Sequence, residues 1–334
     1  MSRLNKTIVI VRSPIESLSS MSLESATILQ STLLTYYRDV KIVNAISKKD
    51  LLHIAALKPD IVFVGVQYIK DGSNPIWVSD FMHNYGIPCT GSQKRALNLQ
   101  AKKQLAKNVV RQAGVSTADY FVADGRNQAI KGAKANNISY PLFVKPTDGG
   151  GGQGIDDNSV VTTPIELASK VDSIYKKYGK ESLIEEYLDG REFSVAILRN
   201  QAAKNYSAMP LELVAPKDRH GRRILSSKVK HADTETFQPV IDKALHAKLC
   251  DIALAAFKSL DARDYGRIDI RLSSTGEPNF LEANLMPSLL KDYGNFPKAF
   301  KLHTGKSFDE LILRIVNLAL SRSKLHSSMS LTAI

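Results

Sequence analysis

The sequence predicts an α/β protein whose C-terminal part turns to α+β, and three observations carry that prediction. Short β-branched runs alternate with helical patterns over residues 7–66, the rhythm of an open parallel sheet with crossover helices. A glycine run follows a strand-like segment near the middle of the chain, at Gly149–Gly152. After a long helical pattern over Ile241–Leu260, two alternating runs flank a Ser-Thr-Gly-Glu-Pro turn and read as a β-hairpin.

Taken in order, Thr7–Val11 is uncharged and β-branched, as expected of a strand covered on both faces. Ser22–Arg38 has near-helical spacing, Val40–Val43 resumes as a strand, Lys49–Leu57 is helical, and Ile61–Val66 is a buried strand. Asn74–Tyr85 reads as a helix and Gln100–Gln112 as a basic helix stopped by Gly114 at its C′ position. Strands follow at Tyr120–Val122 and Tyr140–Pro146, with a helix around Asn127–Asn136 between them. Pro164–Tyr178 is a helix capped by Thr163, with Glu166 at its third position. Leu183–Tyr187 and Glu192–Leu198 are strands split by Asp189-Gly190, and Pro216–His231 is polar, basic and aperiodic. Phe308–Leu320 is the last amphipathic helix, and Ser321–Ile334 reads as a tail.

With 334 residues and 43% hydrophobic content the chain can bury a large core and divide into two or three domains. The balance of residues excludes fibrous and disordered classes. Two cysteines, Cys89 and Cys250, support no disulfide framework and point to a reducing compartment. No stretch approaches a membrane span and the N-terminus leads straight into a strand, so the cytoplasm is the expected location. The net charge of +12 fits nucleic acid, an anionic surface or phosphorylated ligands, although many of the lysines are scattered over helix faces.

The hairpin carries the sharpest chemistry. A tip at Thr275-Gly276 sets Asp269 opposite Glu282 and Arg267 opposite Asn284, all on one face. Ile268, Ile270, Leu281 and Ala283 then fall on the core face. Facing carboxylates repel unless neutralised, and a hard divalent cation with oxygen ligands, such as Mg²⁺, answers that need while holding phosphates. The alternative is an exposed polar face.

Gly149, Gly150, Gly151 and Gly152 suit a loop whose backbone N–H groups approach an anion, with Lys145 aimed at the same anion; a plain linker is the alternative. Glu185, Tyr187 and Leu188 end a strand whose free backbone could bind a purine edge, and Glu192 could accept from ribose hydroxyls. That cluster reads equally as a charged edge strand. The cations of residues 217–231 could close over phosphates, form a solvated loop, or meet nucleic acid, though without interleaved aromatics.

In this order the segments resemble the ATP-grasp ligases, most closely the D-alanine–D-alanine ligase family. The matching text is Ile87–Ser92, Pro141–Pro146, Leu183–Leu188, Arg191–Ala196, Gly266–Ile270, Leu281–Asn284 and the helix from Ser307 to Leu320. Similarity is strong from Lys103 onward and weak before it. The resemblance implies a three-domain ATP-grasp architecture with the nucleotide between the central and C-terminal domains. Its domains would cover residues 1–97, 98–181 and 182–322, with a mobile tail at 323–334.

It also implies ATP and Mg²⁺ as cofactors, with Mn²⁺ as the alternative metal. By that likeness Asp269, Glu282 and Asn284 are metal ligands, and Lys103, Lys145 and Lys228 hold phosphates. Glu185 with the backbone of Tyr187 and Leu188 forms the adenine hinge, and Glu192 holds the ribose. Arg267 and the backbone N–H of Ser288 stabilise the tetrahedral intermediate formed when an amine attacks an acyl phosphate. A homodimer is expected by resemblance only.

The amino-acid half departs from the family. Glu16 is the counterpart of the acid that grips the donor's ammonium, the family's histidine-bearing segment reads Gln67–Ser73, and a serine of the glycine loop has become glycine. The family's Asn-Thr-x-Pro-Gly ending reads Asn284-Leu-Met-Pro-Ser288, and Tyr293 stands where a serine would meet the substrate carboxylate. The expected function is therefore an ATP-dependent ligase joining amino acids or similar acids, with an altered substrate site. A D-alanine–D-alanine ligase of peptidoglycan synthesis is the alternative within the class, and a non-catalytic nucleotide- or RNA-binding protein the alternative outside it. Retention of Arg267 with the whole metal set favours the enzyme, since a binder needs no oxyanion group.

Overall fold

The computed structural model describes residues 3–15, 18, 20–72, 74–200 and 205–330, with side chains described as far as residue 322. The N-terminal part alternates β1 (Leu4–Arg12), α1 (Leu23–Leu34), β2 (Tyr37–Asn44), α2 (Lys48–Ala56) and β3 (Ile61–Val64). The three strands are parallel in the order β2-β1-β3. Ile8 to Val11 are fully buried, as expected for a strand covered by helices on both faces.

Next come β4 (Tyr68–Asp71), β5 (Asn74–Trp77) and α3 (Val78–Asn84). The helix predicted from Asn74 thus starts four residues late. Its first turn is the second strand of a hairpin, with Ile69 opposite Ile76 and the Trp77 ring packed on Tyr68 at 5.2 Å. The basic helix expected over Gln100–Gln112 is two helices, α4 (Lys94–Ala101) and α5 (Lys103–Gln112), broken where Lys102 leaves helical geometry at φ −114° and ψ 87°. Gly114 ends α5 with φ +79°.

The central part holds β6 (Tyr120–Ala123), α6 (Arg126–Ala135), β7 (Leu142–Pro146), β8 (Val160–Val161), α7 (Pro164–Tyr178) and β9 (Ser182–Glu186). Thr163 caps α7 by accepting from the Glu166 N–H at 3.2 Å, while Glu166 reaches back to the Thr162 N–H at 2.6 Å. The sheet order is β6-β9-β7-β8. Since β9 pairs with both β6 and β7, Ser182–Glu186 complete the sheet of the central part.

The C-terminal part contains β10 (Glu192–Arg199), β11 (Tyr206–Val214), α8 (Ser227–Ala232), β12 (Thr236–Pro239), α9 (Lys243–Ser259), β13 (Tyr265–Leu272), β14 (Pro278–Asn284), α10 (Asn295–Thr304) and α11 (Phe308–Ser330). Its antiparallel sheet runs β12-β11-β10-β13-β14. One face buries Phe193, Val195, Ile268 and Ile270 against Leu249, Ala253 and Phe257 of α9. The other packs on Phe296 and Phe300 of α10 and on Leu311 and Ile315 of α11. That second core continues into Ile8, Ile10, Leu29 and Phe63, so it also fastens the N-terminal sheet. The last helix, α11, runs on to Ser330, past the end at Leu320 expected for it. No described helix is long and apolar enough to cross a membrane.

Candidate active site

Strands β13 and β14 bring Asp269 opposite Glu282 and Arg267 opposite Asn284, as the hairpin pattern predicts. The route to that register differs. The turn centres on Thr275, with the Ser273 N–H donating to Glu277 O at 2.9 Å and Gly276 at φ +81°. A bulge past Asp269 then pairs Ile270 with Phe280 and leaves Leu281 over. Phe280, not Leu281, therefore enters the core, and Leu281 faces the cavity.

The carboxylates have different surroundings. Asp269 accepts from Arg267 Nε and Nη2 at 2.8 Å each, from Asn284 Nδ2 at 2.9 Å and from Ser194 Oγ at 2.9 Å. Burial alone would raise the Glu282 carboxyl, but Lys103, Lys230, Lys145 and Arg267 hold it down at about 2. It is ionised at neutral pH.

Behind it lies a buried chain of charges. Glu185 pairs with Lys107 at 2.5 Å through one oxygen and with Lys145 at 2.5 Å through the other. Burial opposes ionisation of Glu185, yet the two ammonium groups hold its carboxyl below the usual range. Lys107, which the sequence reading does not single out, is fully buried and also donates to Thr117 Oγ1 at 2.6 Å. Thr117 in turn donates to Phe280 O at 2.8 Å, so the chain ties α5 and β9 to the hairpin. Spacing of four residues after Lys103 on an amphipathic helix was the available signal. Lys103 itself donates to Gly149 O at 2.6 Å.

Gly149, Gly151 and Gly152 have positive φ of +104°, +65° and +77°. A Cβ on Gly152 would lie 3.1 Å from the Ser227 backbone nitrogen, so this loop seats against the start of α8 only with glycine there. Nearby, Phe143 stacks with Tyr187 at 6.4 Å, and both line a cavity with Leu188, Glu185 and Glu192. Glu192 does not stand free in it. Arg271, a second residue the sequence reading passes over, donates to Glu192 at 3.0 Å and to Arg223 O at 2.9 Å, and lies 5.4 Å from the Tyr187 ring centre. Burial raises the Glu192 carboxyl.

The basic segment is knitted down rather than splayed. Arg219 donates to Asn158 at 3.0 Å, and Arg222 pairs with Asp218 at 3.0 Å while donating to Asp157 O at 3.1 Å. Lys228 is exposed on α8, whereas Lys230 lines the cavity and acts on Glu282 and Glu192. A second cavity of about 690 Å³ opens beside the first, lined by Ser20–Ser22, Gly151, Lys230, Arg267, Asn284, Met286–Leu290 and Tyr293. Ser288 and Tyr293 thus meet the same space, and the Tyr293 hydroxyl donates to Lys230 O at 2.8 Å. Glu16 lies outside the described residues.

Two sheets facing each other across buried lysines, a glycine loop and a carboxylate hairpin define an ATP-grasp enzyme, an ATP-dependent ligase forming peptide-type bonds. The fold agrees: the crystal structure of the Bacillus anthracis D-alanine–D-alanine ligase complexed with ATP superposes with a TM-score of 0.76, at 19% identity, over 97% of this chain and 99% of that one. The family model described as D-ala D-ala ligase C-terminus matches residues 98–317. The chain belongs to the D-alanine–D-alanine ligase family. It is 31% identical to the D-alanine–D-alanine ligase of Bordetella petrii over 287 residues, 84% of this chain and 81% of that protein. It is also 31% identical to the uncharacterized protein y4sG of Sinorhizobium fredii over 242 residues, 70% of this chain and 67% of that one.

Proposed function

We propose that the protein joins two amino-acid-type substrates through an acyl phosphate, using ATP, with a substrate site unlike that of D-alanine–D-alanine ligases. The observation that carries this reading is the facing of Arg267, Glu282 and Lys230 at the mouth shared by the two cavities. Glu282 and the Oδ1 of Asn284 offer oxygens suited to Mg²⁺, Asp269 would join them on giving up the bond it accepts from Asn284 Nδ2, and Glu282 is ionised as a ligand must be. Bound Mg²⁺ would neutralise phosphate charge during transfer.

Lys103 carries positive charge to the glycine loop, and Glu185 holds the Lys145 ammonium in place at the wall of the first cavity. Lys230 takes the phosphate role that resemblance assigned to Lys228, because only Lys230 faces Glu282. Arg267, bidentate to Asp269, stays oriented toward the cavity where an oxyanion would develop. Phe143, Tyr187 and Leu188 give the first cavity an apolar and aromatic wall suited to a base. Glu192 can hold a ribose hydroxyl with Arg271 at its back. Of the stretch that departs from the family's text, Met286–Ser288 and Tyr293 line the substrate cavity while Leu285 packs in the core, and a site with changed hydrogen-bonding groups rejects the former substrate strongly.

An ADP-release screen against D- and L-amino acids, singly and in pairs, with mass analysis of the product, tests the reading. A pair other than D-alanine with itself should give the highest rate. Release stimulated by D-alanine alone would refute the altered site.

A further inference from the structure

Between α8 and β12, Glu235 has no part in the charge chain described above. It lines both cavities, and with Lys230, Arg267, Glu282 and Asn295 it marks the place where they meet. Among the described residues its Oε2 is buried without a hydrogen-bond donor. A buried carboxylate oxygen left unpaired is costly, so the position calls for a donor that the folded chain does not supply. The cations around it have other tasks: Arg267 is bidentate to Asp269, and Lys230 acts on Glu282 and Glu192.

Of the reactants in a carboxylate–amine ligation, the nucleotide and the carboxylate being activated are both anionic where they react. The metal has Glu282 and Asn284, and resemblance gives the donor's ammonium to Glu16, so the cation left for the junction is the acceptor's ammonium, which passes a proton to solvent before its nitrogen attacks and phosphate departs. We propose that Glu235 is a substrate-binding residue that receives the acceptor's ammonium and holds its nitrogen beside the reacting carbonyl. The inference rests on the ligase reading above. It makes an ammonium-bearing acceptor part of the substrate class, selected by a carboxylate from the turn between α8 and β12.

Trapping separates this role from the rest of the reaction. Hydroxylamine is largely uncharged at neutral pH and can intercept an acyl phosphate as a hydroxamate without an ammonium-binding group. Wild type and Glu235→Gln are given ATP and the amino acids chosen by the ADP-release screen, with and without hydroxylamine, and peptide and hydroxamate are quantified. Peptide formation by E235Q should fall at least tenfold through a higher KM for the acceptor, with hydroxamate within twofold of wild type. Glu235→Asp should recover part of the loss. Unchanged peptide formation, or an equal fall in both products, would overturn the assignment of Glu235. Wild type that forms neither product with any amino acid would instead refute the ligase reading, and the inference with it.

Discussion

Replacing Glu185 by glutamine keeps the side-chain shape and removes one charge from the Lys107–Glu185–Lys145 chain. The three residues are at most 5% exposed, so neither lysine can turn to solvent. Removing one partner of a buried ion pair costs about 3–5 kcal/mol, because the remaining charge stays desolvated. Here two ammonium groups lose their counter-charge at 2.5 Å, although Lys107 keeps its bond to Thr117. Glu185→Gln should therefore destabilise the protein by at least about 3 kcal/mol in urea unfolding. Its KM for ATP should rise as Lys145 loses its anchor.

The double variant Lys107→Met with Glu185→Gln should recover part of the stability, since the two sites share one interaction. Acid gives a second reading. The lysines hold the Glu185 carboxyl below its ordinary value of 4.5, so its ionised form stabilises the fold above that pH. The contribution fades as pH falls through the lower folded value, and the variant should lack that part of the acid limb. A Glu185→Gln protein within about 0.5 kcal/mol of wild type would refute the chain's role, that being the range of ordinary surface substitutions.

Glu282→Gln should abolish ATP turnover while leaving the circular dichroism spectrum intact; wild-type turnover would refute Glu282 as a metal ligand. Lys230→Met should lower kcat/KM for ATP by about tenfold or more, as expected for loss of one charge-assisted contact, whereas Lys228→Met on the exposed side of α8 should stay within about twofold. Equal effects would return the phosphate role to Lys228. Gly152→Ala, strained at φ +77° and set against Ser227, should raise the KM for ATP, while Gly150→Ala, with open space around its Cβ position, should not.

The chemistry of the hairpin was legible because strand alternation is a local property. Its register was right at Asp269 and Glu282 through two offsetting differences, a turn centred on Thr275 and a bulge at Leu281. Alternation alone cannot show a bulge, so Leu281 was assigned to the wrong face. Strand β11 escaped notice because Pro210 sits in its middle, a residue that ordinarily argues against a strand; here it pairs opposite Val195. Arg271 was illegible for a different reason, and Lys107 and Lys230 showed only as a helix-face lysine and one cation of a basic segment. Their roles depend on partners at a distance in the chain, Glu185, Glu192 and Glu282, and no local pattern distinguishes a buried lysine from a solvated one. The sheet that β9 completes was illegible likewise, since only its pairing with β6 and β7 shows it.

By the proposed route a substrate carboxylate attacks phosphorus and leaves its oxygen on the phosphate that departs. An amino acid labelled with ¹⁸O in its carboxylate, chosen by the ADP-release screen, tests it directly. One labelled oxygen should appear in the inorganic phosphate for every peptide bond formed. Peptide formation with unlabelled phosphate would contradict the acyl-phosphate route.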